Sequence, residues 1–342
     1  MGRTMSVDKD FASEDLTSLI KKRGQRVLRK FGKVAVCGVK DPQLLSILHD
    51  VRAYWKDMFR PAFTSFCCEA VGSQPEAVDD VSLMITLASA GGGIHDDIID
   101  KSLNKHFRMT VFGLHGLDHA LLVGDLLIIK GWTVAREAVK KSYEPEKFAE
   151  VIEVFGRWTL DVCEAEFMEI SCRKNLDTEL VHYQKILRKS MADIEGCARL
   201  GAIRGGGSPQ EVEALAEFGS RLGFSFRLED DVKDTLNKEG NLAHRLQYES
   251  VPLPILYAAK SSREKYFRIK SILDKSAINP LDIKKLLEFC IETEAFTYVL
   301  KTAMKNAREA STKLRLLKPS KARNVLKLMI EKSLADISNL CS

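Results

Sequence analysis

Residues 81–100 run VSLMITLASAGGGIHDDIID, an apolar stretch that ends in three aspartates, Asp96, Asp97 and Asp100. Its apolar residues recur at helical spacing rather than alternating, and the same pattern runs through 44–70, 117–139, 148–170, 180–203 and 212–236. Few β-branched alternations intervene, so the chain is expected to be all-α. Breaks fall where turn chemistry puts them, at Gly72-Ser73-Gln74-Pro75, Ser142-Tyr143-Glu144-Pro145, Gly205-Gly206-Gly207-Ser208-Pro209, Lys238-Glu239-Gly240-Asn241 and Ile278-Asn279-Pro280. The helices between them should be about 20 residues or longer, which suits one large antiparallel bundle. No linker is visible, so residues 1–342 are expected to form a single domain, with the charged first 35 or so as a peripheral helix laid against it.

The bulk properties narrow the function. A chain of 342 residues that is 45% hydrophobic and 29% charged can bury a large core. The net charge of +5 is small and its lysines and arginines are dispersed, so nucleic acid is not an expected partner. Eight cysteines without a CxxC pair fit a reducing cytoplasm. The N-terminus has no apolar core of the signal-peptide kind, and no uninterrupted apolar run approaches the ~18 residues of a membrane span. The longest, 121–129, is broken by Asp125.

The aspartate pattern recurs as Asp230, Asp231 and Asp234, again after an apolar stretch. On a helix, positions i and i+4 lie almost above one another, so Asp96 with Asp100 and Asp230 with Asp234 project as carboxylate pairs. Unpaired acids at that spacing repel. One reading is a pair of solvated acidic patches. The other is Mg²⁺, a hard cation that bridges one or two carboxylates to substrate phosphates. Two such pairs facing each other would neutralise a diphosphate leaving group and promote departure of an allylic carbocation.

Five segments occur in order: Phe59-Arg60-Pro61, His95-Asp96-Asp97-Ile98-Ile99-Asp100, Gly124-Asp125-Leu126-Leu127, Lys189-Ser190, and the run from Gly223 through Phe226, Arg227, Asp230 and Asp231 to Asp234. In order and spacing they resemble the GGKxxRP, first aspartate, GDxLL, Lys-Thr and GxxFQxxDDxxD segments of the trans-type isoprenyl diphosphate synthases, the polyprenyl synthetase superfamily. The resemblance implies a bundle of more than ten helices around a deep apolar pocket, usually as a homodimer. It implies six catalytic aspartates and three Mg²⁺ ions held by Asp96, Asp100, Asp230 and Asp234 on an allylic prenyl diphosphate, with Lys189 on the same group. The usual acceptor is isopentenyl diphosphate in a second, more basic site.

Departures from the pattern gather in that second site. Asp57 stands where the family has a lysine, with Lys56 one place off register, and Ser89 replaces a histidine. Lys105-His106 replaces an Arg-Arg pair, with Arg108 displaced nearby, and the segment from Glu249 to Pro254 lacks the usual lysine. Arg60 survives, and Arg227 takes the place of a glutamine. Arg60, Lys56, Lys105, Arg108, Lys189 and Arg227 are therefore the expected diphosphate ligands. Three outcomes stay open: chain elongation with isopentenyl diphosphate, a single-substrate terpene cyclase on the same fold, and a non-catalytic partner subunit.

Ala88, Gly91, Gly92 and Phe226 are expected to form the pocket wall. The resemblance puts Gly91 and Gly92 at the pocket floor, where small residues would admit chains of about twenty carbons or more. Alternatively, Gly91 to Gly93 permit close helix packing. His95 either bonds a metal-bound carboxylate or serves local packing. His115 and His119 lack a third ligand for zinc. Trp55, Trp132 and Trp158 are expected in the core or an interface, and Glu166 at the polar end of the cavity.

Overall fold

The computed structural model describes residues 15–105, 108–142 and 145–341. His106 and residues 1–14 lie outside the described residues. The described residues form fifteen α-helices: α1 (Leu16–Val36), α2 (Pro42–Tyr54), α3 (Phe59–Ala70), α4 (Asp79–Ile99), α5 (Val111–Ser142), α6 (Pro145–Ser171), α7 (Leu180–Lys189), α8 (Ala192–Arg204), α9 (Pro209–Thr235), α10 (Leu242–Tyr248), α11 (Leu253–Lys260), α12 (Arg263–Leu273), α13 (Pro280–Glu292), α14 (Ala295–Lys313) and α15 (Lys321–Cys341). A two-residue antiparallel hairpin, β1 (Asn104–Lys105) with β2 (Arg108–Met109), is the only sheet among the described residues.

The turn chemistry explains the breaks. Ser208 and Glu211 form a reciprocal capping box behind Pro209, and Asn279 with Asp282 does the same behind Pro280. Two expected helices are each split. Asp57 accepts from the amides of Phe59 and Arg60 at 2.8 and 3.3 Å, starting a new helix within 44–70. The stretch 180–203 breaks at Ser190-Met191, which separates α7 from α8. Helices α10 to α12 have 7, 8 and 11 residues, shorter than the spacing of the breaks implied.

Helix α1 lies along the bundle with Val27, Phe31 and Ala35 buried on one face. Phe31 packs with Leu48, Leu87 and Leu127 between α1, α2, α4 and α5. A second core joins Phe63, Phe66, Met84, Ile85, Phe155, Leu200 and Phe218. A third gathers Leu228, Val232, Leu253, Ile269, Leu286 and Val299. Helix α9 runs through the last two, contributing Phe218 and Leu222 to one and Phe224, Leu228 and Val232 to the other. Its C-terminal aspartates are thereby fixed relative to both halves.

Helices α4 and α5 cross on glycines. A Cβ on Gly91 would lie 2.5 Å from the carbonyl oxygen of Gly124, and one on Gly131 would lie 3.0 Å from that of Met84. The first distance excludes a side chain and the second leaves room only if the neighbour shifts, so this seam fixes the rotation of α4 about its axis, and with it the direction of Asp96 and Asp100. Both helices are long and apolar enough to cross a bilayer; the α4 segment is mostly buried, but the apolar stretch of α5 is only 22% buried.

Candidate active site

Helix α4 delivers the first aspartate motif on its last turn. Asp97 and Asp100 are buried, while the Asp96 side chain stays 42% exposed. Lys105, from the hairpin that follows, donates to Asp96 Oδ2 at 2.7 Å and to Asp97 Oδ1 at 2.9 Å. Opposite stands Glu166 of α6: one ligand oxygen each from Asp96, Asp100 and Glu166 lie within 4.8 Å of one another. Three hard oxygen donors so close fit a small divalent cation.

The acidity of the group reflects this crowding. Burial, then Asp96 and Glu249, pushes Asp100 up to about 9; burial, then Asp96 and Glu169, pushes Glu166 up to about 7. Free carboxyls ionise near 4. Between about pH 4 and 9 the unfolded chain therefore binds fewer protons at these groups than the folded one, so without a cation they lower stability as pH rises. A divalent ion binds the ionised form and relieves the repulsion. We expect Mg²⁺ or Mn²⁺ to raise the melting temperature more at about pH 8.5 than at about pH 6. Thermal scans at both pH values check this, and equal shifts would take the triad out of metal binding.

The second motif ends α9 and is divided in its surroundings. Asp230 opens onto solvent although protein surrounds it; burial raises its pKa, with Arg227 and Lys233 opposing. Asp231 is fully buried: it accepts from the Leu253 amide at 2.8 Å, from Arg245 Nη2 at 2.5 Å and from the Tyr183 hydroxyl at 3.4 Å. Asp234 pairs with Arg245 Nη1 and accepts from Asn241 at 3.4 Å. Arg245 is itself buried, and Glu249 lies 3.8 Å from its Nε. Asp230 thus faces open space, whereas Asp231 and Asp234 are held inside by one arginine. The sequence had not singled out Arg245; its signal was an arginine set between Leu242 and Leu246 on the buried side of a seven-residue helix.

Helix α6 and the chain around α10 join the two motifs. Glu169, three residues after Glu166, accepts from Arg227 Nη2 at 2.9 Å and lies within electrostatic reach of both Asp96 and Asp231. Arg173 donates to the Ile99 carbonyl at 3.0 Å and pairs in a β-bridge with Ser250. His244 Nε2 donates to the Lys101 carbonyl at 3.3 Å. Glu249 raises Asp100 while pairing with Arg245, so the ends of α4 and α9 share one electrostatic neighbourhood.

The other cations expected to bind diphosphate are largely engaged by carboxylates. Lys189 bonds Glu164 and lies 3.1 Å from Asp161. Arg60 donates from Nη1 to Asp57 at 2.8 Å and from Nε to Asp193. Arg108 stacks on Tyr54 at 4.7 Å, and Lys56 is exposed.

The pocket wall differs from expectation in two residues. Ala88 and Gly91 pack on α5, with Gly91 against Gly124 and Ile128 and Ala88 opposite Gly131. They serve helix packing, because they lie on the α5-facing side of α4. Gly92 faces open space, with nothing within 4 Å of a Cβ built there. It precedes Asp96 by four residues on the same face, so that space lies one turn beneath the carboxylate. Phe226 packs edge-on against Phe59 at 5.0 Å. Trp132, Phe155 and Trp158 meet edge to face in the core. His95 turns towards α5, 3.2 Å from the Leu121 carbonyl and 3.4 Å from Asp125, and serves local packing. A separate cavity of about 970 Å³ runs between α6, α8 and the start of α9, from Asp161 to Glu150; no motif aspartate lines it.

Comparison with known proteins agrees with this fold. The polyprenyl synthetase family model matches residues 49–290. A short chain isoprenyl diphosphate synthase of Methanothermobacter thermautotrophicus is 27% identical over 318 residues, covering 89% of this chain and 96% of its own. The geranylgeranyl pyrophosphate synthetase of Pyrococcus horikoshii superposes with a TM-score of 0.83 at 24% identity, over 93% of this chain and 98% of that one. The polyprenyl synthase of Caulobacter crescentus, solved with calcium and isoprenyl diphosphate, gives 0.77 at 18% identity, over 94% and 98%. With the fold, both aspartate motifs and the family match in agreement, this chain belongs to the polyprenyl synthetase family of prenyltransferases.

Proposed function

We propose that the protein ionises an allylic prenyl diphosphate at the carboxylates of Asp96, Asp100 and Glu166, with Asp230 contributing from the facing helix end, and passes the prenyl cation to an acceptor. The observation that carries this is the approach of three carboxylate oxygens beside the open face of α4. Mg²⁺ held there would neutralise the departing diphosphate. The similar structure solved with calcium and isoprenyl diphosphate together supports a divalent cation accompanying the substrate. Lys105 and Arg227 add positive charge at the same mouth, and Gly92 leaves room beneath for the hydrocarbon tail.

The test is pyrophosphate release from farnesyl or geranylgeranyl diphosphate with Mg²⁺, and again in excess chelator. Release that needs the metal is the expected result; none in either condition would favour a non-catalytic partner subunit. The relatives' names support condensation with isopentenyl diphosphate. The capture of Arg60 by Asp57 and Asp193 favours the second reading, in which the cation is quenched without a diphosphate acceptor.

A tail of about twenty carbons or more is inferred from the space at Gly92. Gly92→Phe should lower kcat/KM for geranylgeranyl diphosphate at least tenfold relative to geranyl diphosphate, roughly 1.4 kcal/mol in the transition state. Substrate competition assays read this ratio, and an unchanged ratio would move the tail elsewhere. A homodimer is inferred from the exposed Leu117, Leu121, Leu122 and Ile129 on α5 with Leu160 and Phe167 on α6. Light scattering that gives the monomer mass at micromolar concentration would overturn it.

A further inference from the structure

Residues 54–60 run beside the first motif and carry a second set of buried polar groups. Tyr54 lies within electrostatic reach of Asp96, Asp97 and Lys105. The Trp55 ring sits 3.2 Å from a Cβ built on Gly93, and Phe59 meets Phe226. The next residue, Arg60, follows Phe59 on the first turn of α3, on the segment that runs beside the first motif. Its Nη1 donates to Asp57 and its Nε to Asp193, whose side chains are only 16% and 8% exposed.

Two carboxylates around one guanidinium leave an excess negative charge in a place with little water. Asp193 uses Oδ2 for Arg60, and its buried Oδ1 has no hydrogen-bond partner among the described residues. Trp55 Nε1 and Ser89 Oγ are buried without partners as well. Ser89 precedes Gly93 by one helical turn, on the face that meets Trp55. A carboxylate oxygen kept from water with no donor carries its full desolvation penalty, which a bound donor group would relieve. A diphosphate would do the reverse, setting further negative charge against Asp57 and Asp193.

We propose that the subsite beside Arg60 takes an acceptor head group that donates hydrogen bonds and carries no negative charge, a hydroxyl or an ammonium, in place of a diphosphate. That its occupant is the acceptor rests on the prenyl-transfer reading above. The geometry of the subsite does not. Asp193 Oδ1 receives the donor, Arg60 holds both carboxylates in place, and the Phe59–Phe226 pair walls the apolar part of the ligand.

The test is ligand-observed NMR titration of the full chain in chelator, which removes divalent ions, with Asp96→Ala run beside wild type so that any amine held by the metal-free aspartates is counted separately. Isopentenyl diphosphate, isopentenyl alcohol and isopentenyl amine share one alkene tail and differ in head group, so the last two separate hydroxyl from ammonium. Wild type should bind the alcohol or the amine saturably, at least tenfold more tightly than the diphosphate. Asp57→Asn and Asp193→Asn keep side-chain shape and remove a charge, and each should shift the preference towards the diphosphate by about tenfold. Tighter binding of the diphosphate by wild type, no saturable binding of either donor, or a preference that neither substitution moves would overturn the proposal. Metal-dependent pyrophosphate release is measured separately, so failure here is distinguishable from failure of the ionisation step.

Discussion

Asp96→Ala is expected to slow pyrophosphate release from an allylic diphosphate by about a thousandfold, some 4 kcal/mol of transition-state stabilisation. Asp96 is the most open member of the triad and the one that reaches both Lys105 and Glu166. Without it, two ligands remain and the charge of the leaving group stays uncompensated. The fold should survive, because the truncation also removes the repulsion that raises Asp100 and Glu166. Steady-state kinetics paired with a metal-free thermal melt separates the two effects. More than a tenth of the wild-type rate with an unchanged melt would take Asp96 out of the metal role. Asp230→Ala should fall in the same direction.

Arg245→Met should be the most destabilising single change in this region. Asp231 has no exposed surface, and Arg245 is its ionic partner as well as that of Asp234. Removing one side of a buried pair strands the other charge, at a cost of about 3–5 kcal/mol. At roughly 2 °C per kcal/mol for a chain of this size, the melting temperature should fall by about 6–10 °C. Adding Asp231→Asn should recover part of that loss, since the stranded charge is gone. If Arg245→Met melts like wild type, the buried network is not what holds the end of α9.

The helical class was legible because apolar periodicity and turn residues are local signals. Pro209 and Pro280 marked two helix starts for the same physical reason in sequence and structure: proline at the first turn gives up an amide that has no helical partner there. The split after Tyr54 was not legible. It depends on Asp57 turning its carboxylate onto the next helix's amides, which spacing does not reveal. Among the site residues, the aspartates were visible as repeats, but their division was not, because burial of Asp231 depends on Arg245, fourteen residues further along. Glycine carried an ambiguous signal: a missing side chain looks the same whether it admits a neighbouring helix, as at Gly91, or leaves a void, as at Gly92. Asp193 escaped notice because an acid in a helix that also carries Glu195, Arg199 and Arg204 acquires meaning only beside Arg60.

Lys105 spans Asp96 and Asp97 with a single ammonium. Under the proposed metal role, the protein thus brings its own placeholder for the ion, and a newly made chain would close this end of the bundle before any magnesium arrives. On that proposal, loading the metal would be an exchange of cations, and the freed lysine would stand where an incoming phosphoryl oxygen needs a partner.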